Sequence, residues 1–165
     1  MSNAVADASL DLDVYLSKTG EAAENLGRLW LAIWRQSYVP ASTLELCRLT
    51  LARLHGSEGD MACQNEYLPD GALPPEKRHA VLSGQAVTDS IFSHAEIAAL
   101  QLAEIFWIDP AGIDDGVANQ VKSSFGEEGL LLLCEALGCF DSRIRASLCL
   151  RGLGSLTGND GGQAC

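Results

Sequence analysis

The side chains of this chain that could do chemistry are concentrated between Leu44 and Leu68. They are Glu45, His55, Ser57, Asp60, Cys63 and Gln64. Carboxylates and imidazoles near a substrate can move protons, and a thiolate can act as a nucleophile. In one interpretation, Glu45 is a general acid or base assisted by His55 and Asp60, because neighbouring carboxylates can raise the pKa of one of them. That arrangement would suit a lyase, isomerase or hydrolase step on a small acid or lactone.

The same residue types also have structural interpretations. Ser57 and Asp60 stand at the spacing of a capping box, in which the hydroxyl accepts the N–H of Asp60 and the carboxylate accepts the N–H of Ser57. Glu45 stands in the same relation to Ser42, which we expect to cap its helix. His55 precedes a glycine at a helix end, so we expect it at the surface or near the last helical carbonyls.

Cys63 is one of six cysteines, and none of them forms a Cys-x-x-Cys pair or lies near a histidine at zinc-ligand spacing. We therefore expect no metal and no cofactor. Without an export signal, reduced thiols in a cytoplasmic protein are the default. We expect Cys63 to be a small buried residue on a helix. The alternative is a one-thiol peroxidase, with Cys47 or an external thiol as its partner.

Helical apolar patterns surround this stretch and must position it. The pattern predicts one helix at 44–54, a break at His55-Gly56, and a second helix from Ser57 to Leu68. Other predicted helices cover 10–18, 21–37, 76–82, a long segment capped by Ser93 and ended by Asp109-Pro110, 114–124 and 127–151. No strand-like alternation is present, so the sequence predicts an all-α fold. We expect Trp30 and Trp34 in the core or a subunit interface, with a substrate-lining role as the alternative.

The central stretch resembles the core of the carboxymuconolactone decarboxylase superfamily, which includes the alkyl hydroperoxidase D-like (AhpD-like) proteins. The pattern of that family is Glu, Cys-x-x-Cys and His. Laid on this chain, the glutamate falls on Glu45, the two cysteines on Ser57 and Asp60, and the histidine on Gln64. The glycine before the first cysteine is kept as Gly56.

The resemblance continues downstream and covers roughly 26–150, including SIFSHAEIAALQLAEIFW at 90–107. It implies an all-α orthogonal helical bundle of the AhpD-like type, over 21–151, that assembles as a homodimer, trimer or hexamer. The flanking parts are predicted to be an N-terminal extension at 1–20 and a flexible tail at 152–165. Asp141 and Arg143 fall where family members often carry Asn and Arg, and we expect an ion pair there.

The replaced residues decide the functional expectation. In redox members a thiolate attacks a peroxide and a second thiol resolves the sulfenic acid as a disulfide. Ser57 and Asp60 cannot do this, and Gln64 cannot exchange a proton near neutral pH. The resemblance therefore implies a divergent protein without two-thiol peroxidase activity, which binds a small apolar or acidic ligand behind Ser57 or has an accessory role. Decarboxylating members use a histidine at the position of Gln64.

The charge of the chain excludes two classes of partner. The formal net charge is −11 and the sequence pI is about 4.5. Binding to nucleic acid or to an anionic membrane surface needs a basic patch, so we expect neither. No apolar run approaches the ~20 residues of a membrane-spanning helix. The N-terminus lacks the basic start of a secretory signal, which favours a cytoplasmic location.

Overall fold

The computed structural model describes residues 12–86 and 90–152, and all of its regular elements there are helical. The α-helices are α1 (Leu12–Leu16), α2 (Glu21–Arg35), α3 (Ala41–Leu54), α4 (Glu58–Ala62), α5 (Pro75–Leu82), α6 (His94–Ile108) and α7 (Asp115–Gly152), with 3-10 turns at Ser17–Thr19 and Pro110–Gly112. The predicted all-α class is confirmed. The predicted tail, beyond Gly152, and the first eleven residues of the predicted extension lie outside the described residues.

Helix α3 is the centre of the fold. Every residue from Thr43 to Ala52 is buried, so the helix has no solvent face over ten residues. One side packs in a core with α2, α6 and α7, and the other packs with α5 and Phe92 in a second core. Burying each of the leucines in this stretch of α3 stabilises the fold by about 1.5–3 kcal/mol relative to leaving it exposed. Because α3 is enclosed, its polar residues must find partners inside the protein.

Two glycines with positive φ interrupt the helices where the sequence predicts breaks. Gly56 has φ +64° after α3, and Gly126 has φ +77° inside α7. Residues with a Cβ rarely adopt these angles. At Gly126 the backbone leaves helical geometry, so α7 consists of two helical parts joined at that residue. The predicted separation of 114–124 from 127–151 is confirmed.

Two details of the predicted helix ends are wrong. The second helix of the central stretch ends at Ala62, because Cys63 is already extended with ψ 135°. Ser42 does not cap α3, which begins one residue earlier with Pro40 at the N-cap. The capping box of Ser93 and Glu96 on α6, in contrast, has both of its hydrogen bonds.

The aromatic residues of α2 join it to the rest of the bundle. Trp34 is 5% exposed and stacks against Phe140 of α7 with ring centroids 5.4 Å apart. Trp30 is partly buried and meets the edge of the same phenyl ring at 5.6 Å. The prediction of a core position is confirmed for Trp34. Over 12–86 and 90–152, no helix has the length and apolar character needed to span a bilayer.

Candidate functional site

The carboxylate of Glu45 is held in a buried ion pair with Arg48 of the same helix. Arg48 donates from Nε to Oε2 at 2.8 Å and from Nη2 to Oε1 at 2.7 Å. The two side chains are 1% and 8% exposed. Burial alone would lower the pKa of Arg48, but hydrogen bonding and charge attraction from Glu45 outweigh it, so this pKa is raised. The guanidinium therefore keeps its charge and both carboxylate oxygens are occupied.

Further donors surround the same carboxylate and fix the segment after α4. The side-chain amide of Asn65 donates to Oε2 of Glu45 at 3.0 Å, and Nη1 of Arg78 lies 3.8 Å from Oε1. Arg48 also donates to the carbonyl of Asp60 at 2.9 Å, and Arg78 donates to the carbonyl of Met61. These carbonyls are at the end of α4 and have no helical partner. The two arginines thus hold a helix end in place.

Ser57 and Asp60 are bound to each other rather than arranged as the predicted capping box. Ser57 is at the N-cap of α4 and fully buried, but its side chain makes no capping bond to a backbone N–H. Its hydroxyl instead donates to Oδ2 of Asp60. The predicted cap position is right and the predicted hydrogen bonds are wrong. A hydroxyl that donates to a carboxylate can be polarised by it, but the cavity described below is not lined by Ser57.

His55 pairs with α7, which the sequence did not predict. It is the C-cap residue of α3, and its Nε2 lies 2.6 Å from Oδ1 of Asp141. Its side chain is 10% exposed and its ring meets the edge of Trp107 at 6.0 Å. Asp141 also accepts from Arg145 at 2.7 Å. Within this chain Arg143 pairs with Asp13 and not with Asp141, and an ion pair of Asp141 with Arg143 inside an assembly stays a prediction. The contact of His55 joins the end of α3 to α7.

The three residues that could share acid–base work have different partners. Glu45 is bound by Arg48, Asp60 by Ser57, and His55 by Asp141. Within the described residues, no hydrogen bond connects any two of the three. This arrangement gives Glu45 no open oxygen toward a substrate, which weakens the interpretation of Glu45 as a general acid or base.

The junction of α3 with α4 consists of Glu45, Arg48, Ser57 and Asp60. A cavity of about 100 Å³ lies beside this junction, between α1, α2, the end of α4 and α7. Its aromatic wall consists of Trp30 and Tyr67. Burial first, and then the neighbouring Glu66, raise the pKa of Tyr67, so its hydroxyl stays protonated near neutral pH. An engineered cavity of roughly 150 Å³ can hold benzene. The present cavity is smaller but is not closed off from solvent, so it has room for a short chain, or for a ring that also extends through its opening.

Arginines of α7 also line the cavity. Arg143 stacks over the ring of Trp30 at 4.4 Å and donates to Asp13 of α1 at 2.9 and 3.0 Å. The guanidinium of Arg151 lies directly against Gly59, so that a Cβ at this position would collide with it. Ser147 lies between them on the helix and also lines the cavity.

Cys63 and Gln64 are the candidate residues that reach this cavity together with Asp60. Cys63 follows the last residue of α4 and is partly exposed, so the prediction of a buried helical cysteine is wrong. Gln64 is exposed. Cys47 is fully buried, which raises its pKa to about 12. A resolving role for Cys47 is therefore disfavoured by burial.

Two other features of the described residues bear on function. No group of three His, Cys, Asp or Glu side chains in 12–86 and 90–152 could hold a metal ion. A more open polar groove lies between α6 and the first part of α7, with His94, Gln101, Asn119 and Ser123 in its lining. The hydroxyl of Ser123 already donates to the carbonyl of Asn119 at 2.7 Å.

Comparison with known proteins gives a fold and no family assignment. No protein-family model matches the chain, and no curated protein matches its sequence. A crystal structure of a protein of unknown function from Agrobacterium tumefaciens, provisionally described as the antioxidant defence protein AhpD, does match. Its TM-score is 0.69 at 16% identity, over 87% of this chain and 95% of that one. The two chains share a fold. The AhpD-like fold is thereby supported, and at this identity the likeness carries no activity.

The roles of the arginines at the junction and in the cavity were not predicted from the sequence. Arg48 had a signal, because it lies three residues after Glu45 in a helix that is otherwise apolar on several sides. A charged pair at that spacing inside a buried helix predicts an internal ion pair. The signal for Arg143 and Arg151 was weaker. Their spacing of eight residues places both on one side of α7.

Proposed function

We propose that this protein binds a small molecule in the cavity between α2 and α7 and does not reduce peroxides with a pair of thiols. The observation that carries the proposal is the lining of the cavity. It combines the rings of Trp30 and Tyr67 with the polar groups of Arg143 and Ser147. Small-molecule sites combine aromatic walls with polar groups that fix the orientation of the ligand.

The junction beside the cavity supports the negative part of the proposal. The positions that resemble the thiol pair carry Ser57 and Asp60, whose side chains are bound to each other. A serine hydroxyl and a carboxylate cannot form a disulfide. The position that resembles the glutamate carries Glu45, whose two oxygens accept hydrogen bonds from Arg48. The polar groups of the junction are thus used to hold α3 and α4 together.

Binding is tested with a panel of single-ring and short-chain compounds that includes acidic, neutral and basic members. We expect saturation-transfer NMR on the full chain to detect binding of at least one class. Substituting Trp30→Leu should weaken that binding, because the ring forms a wall of the cavity. Trp107→Leu is the control, since Trp107 contacts His55 and does not line the cavity. Binding by no member, or equal loss in both variants, would refute the proposal.

Cys63 supports a second candidate, a one-thiol peroxidase. It is partly exposed, lines the cavity, and has its carbonyl 3.5 Å from both Arg48 and Arg78. The thiolate of Cys63 would attack a hydroperoxide, giving a sulfenic acid and an alcohol. Two equivalents of an external thiol would then release water and return the thiol, with a disulfide of the external thiol as the oxidised product.

A peroxide-consumption assay with dithiothreitol separates the two candidates. The binding proposal predicts no turnover above the rate without protein. Turnover that is lost in Cys63→Ser and kept in Cys149→Ser would establish the one-thiol reaction. Cys149 is the control because it is exposed and lies outside the lining of the cavity.

We further propose that the protein is cytoplasmic and forms a homo-oligomer, the latter because the resemblance to the superfamily implies it. Exposed apolar side chains such as Leu131 on α7 and Ile108 on α6, which are 61% and 71% exposed, support association. Sedimentation at micromolar concentration tests it. A single-chain species would contradict this part of the proposal and leave the binding of a ligand unaffected.

A further inference from the structure

One face of α7 presents a ladder of hydrogen-bond donors to the cavity. Arg143, Ser147 and Arg151 follow one another at intervals of four residues, which places them on the same side of the helix. All three line the cavity. Successive members are about 6 Å apart along the axis, at 1.5 Å per residue. Two long arginine side chains on such a ladder can reach one ligand group between them.

Two of these donors are buried without an acceptor. Nη1 of Arg143 and Nε of Arg151 have no hydrogen-bond partner among the described residues. A buried N–H without an acceptor costs free energy, and the cost is larger for a charged group. Both side chains line the cavity, so a rotation of each guanidinium would bring these N–H groups to the oxygens of an anion bound there.

The other charges around the cavity are already committed or face solvent. Arg48 is neutralised by Glu45, and Asp60 accepts from Ser57. Asp13 and Glu66 are exposed residues at the rim. The positive charge that faces the interior therefore comes from the two arginines of α7.

Asp13 indicates which anion suits this site. Its carboxylate, on a side chain that is 62% exposed, places both oxygens on Nη2 of Arg143 at 2.9 and 3.0 Å. Arg143 thus already contacts a carboxylate. The lining also contains the carboxylates of Asp13, Asp60 and Glu66, which would repel a dianion more strongly than a monoanion.

We propose that the cavity binds the carboxylate of a small single-ring acid, with the carboxylate on Arg143 and Arg151 and the ring against Trp30 and Tyr67. This inference rests on the proposed ligand-binding function and names the class of ligand. The carboxylate of Asp13 competes with the ligand for Arg143. Asp13 belongs to the short helix α1, which packs on α7, so this competition couples α1 to the site.

The charge of the ligand is tested by titration calorimetry with benzoate and with benzamide, its uncharged isostere. We expect benzoate to bind the full chain at least about tenfold more tightly, because a charge-assisted hydrogen bond is about twice as strong as a neutral one. Equal affinities would overturn the inference and leave the proposed function standing. Benzoate that does not bind would overturn the inference, while binding of other panel members would still support the proposed function.

The two arginines are tested by substitution. Arg143→Gln and Arg151→Gln should each reduce the affinity for benzoate at least about tenfold and leave that for benzamide within about twofold. Arg28→Gln is the matched control, because Arg28 forms an exposed pair with Glu24 away from the cavity. Asp13→Asn should increase the affinity for benzoate. Circular dichroism checks folding, and Arg151→Gln replaces Arg143→Gln as the test if the latter does not fold.

Two results would contradict the assignment of residues and ligand class. One is a folded Arg143→Gln or Arg151→Gln variant that keeps the affinity of the wild-type chain for benzoate. The other is inorganic phosphate that displaces benzoate with a higher affinity than benzoate itself, which would replace the carboxylate by a phosphate group. A lower affinity for benzoate in Asp13→Asn would show that Asp13 does not compete with the ligand for Arg143.

Discussion

The junction of α3 with α4 and the cavity beside it both contain arginines and carboxylates, but they use them differently. At the junction, Arg48 and Glu45 are almost fully buried and bind each other through two hydrogen bonds. In the cavity, Arg143 pairs with the exposed Asp13 and keeps a buried nitrogen without a partner. Charges that satisfy each other stabilise a fold, and charges that lack a partner can bind a ligand.

The difference follows from burial. Two charges attract more strongly in the interior than at the surface, and their desolvation makes an unpaired one costly. The side chains of the pair in α3 are 8% and 1% exposed, so removing either partner leaves the other charge largely desolvated. The pair of Arg143 with Asp13 has one partner in water and can exchange it. We therefore expect substitutions at the junction to change stability and substitutions in the cavity to change binding.

Breaking the buried pair should have the largest effect. Arg48→Met leaves the carboxylate of Glu45 buried with only Asn65 and the more distant Arg78 near it. We expect a loss of about 3–5 kcal/mol in the free energy of unfolding, measured by urea denaturation. Arg28→Met, in an exposed pair, is the control and should cost less than about 1 kcal/mol. Equal losses would show that the junction is no more stabilising than the surface.

Removing the guanidinium of Arg143 should have a smaller effect on stability. Arg143→Met loses the pair with Asp13 and the stacking on Trp30. We expect a loss of about 1 kcal/mol, from an exposed ion pair and a partly solvated cation–π contact. Urea denaturation beside Arg48→Met gives the comparison directly. A loss of unfolding free energy as large as that of Arg48→Met would indicate that Arg143 stabilises the fold, and it would argue against a binding role.

Filling the space at Gly59 tests the cavity without removing a charge. The guanidinium of Arg151 lies against this glycine, so the Cβ of Gly59→Ala must displace it. Because the end of an arginine side chain is flexible, we expect a change of at most about 0.5 kcal/mol in the free energy of unfolding and a loss of affinity for benzoate. Gly27→Ala is the control, since a Cβ there has no neighbour within 4 Å. An unchanged affinity for benzoate would show that Arg151 does not contact the ligand.

Acid should affect a third ion pair, between Lys77 of α5 and Glu96 of α6, which lie 2.7 Å apart. Burial alone would raise the pKa of Glu96, but its hydrogen bonds to Lys77 and Ser93 outweigh this and lower the pKa below 4.5. A carboxyl whose pKa is lower in the folded state stabilises the fold fully above the unfolded pKa and loses that contribution as the pH falls through the folded value. Thermal unfolding of Glu96→Gln below pH 4.5 should therefore be less pH-dependent than that of the wild-type chain. An unchanged pH profile would contradict this.

Most of the fold could be predicted from local patterns, and the site could be predicted only in part. The capping box of Ser93 and Glu96 and the break at Gly126 were found because each depends on a few neighbouring residues. The end of α4 was missed because its carbonyls are held by Arg48 and Arg78, which are distant in sequence. The pairing of His55 with Asp141 spans 86 residues. No local pattern shows which of several charges will be buried together.

The central claim is that the cavity beside the junction of α3 with α4 is the binding site of this protein. The most direct test is an amide NMR titration of the full chain with benzoate. The account predicts chemical-shift changes at Gly59, Gln64 and Ser147 that saturate with one binding constant, and none at Asn119 and Ser123 in the second groove. Changes confined to the second groove, or no saturable change around the cavity, would contradict it.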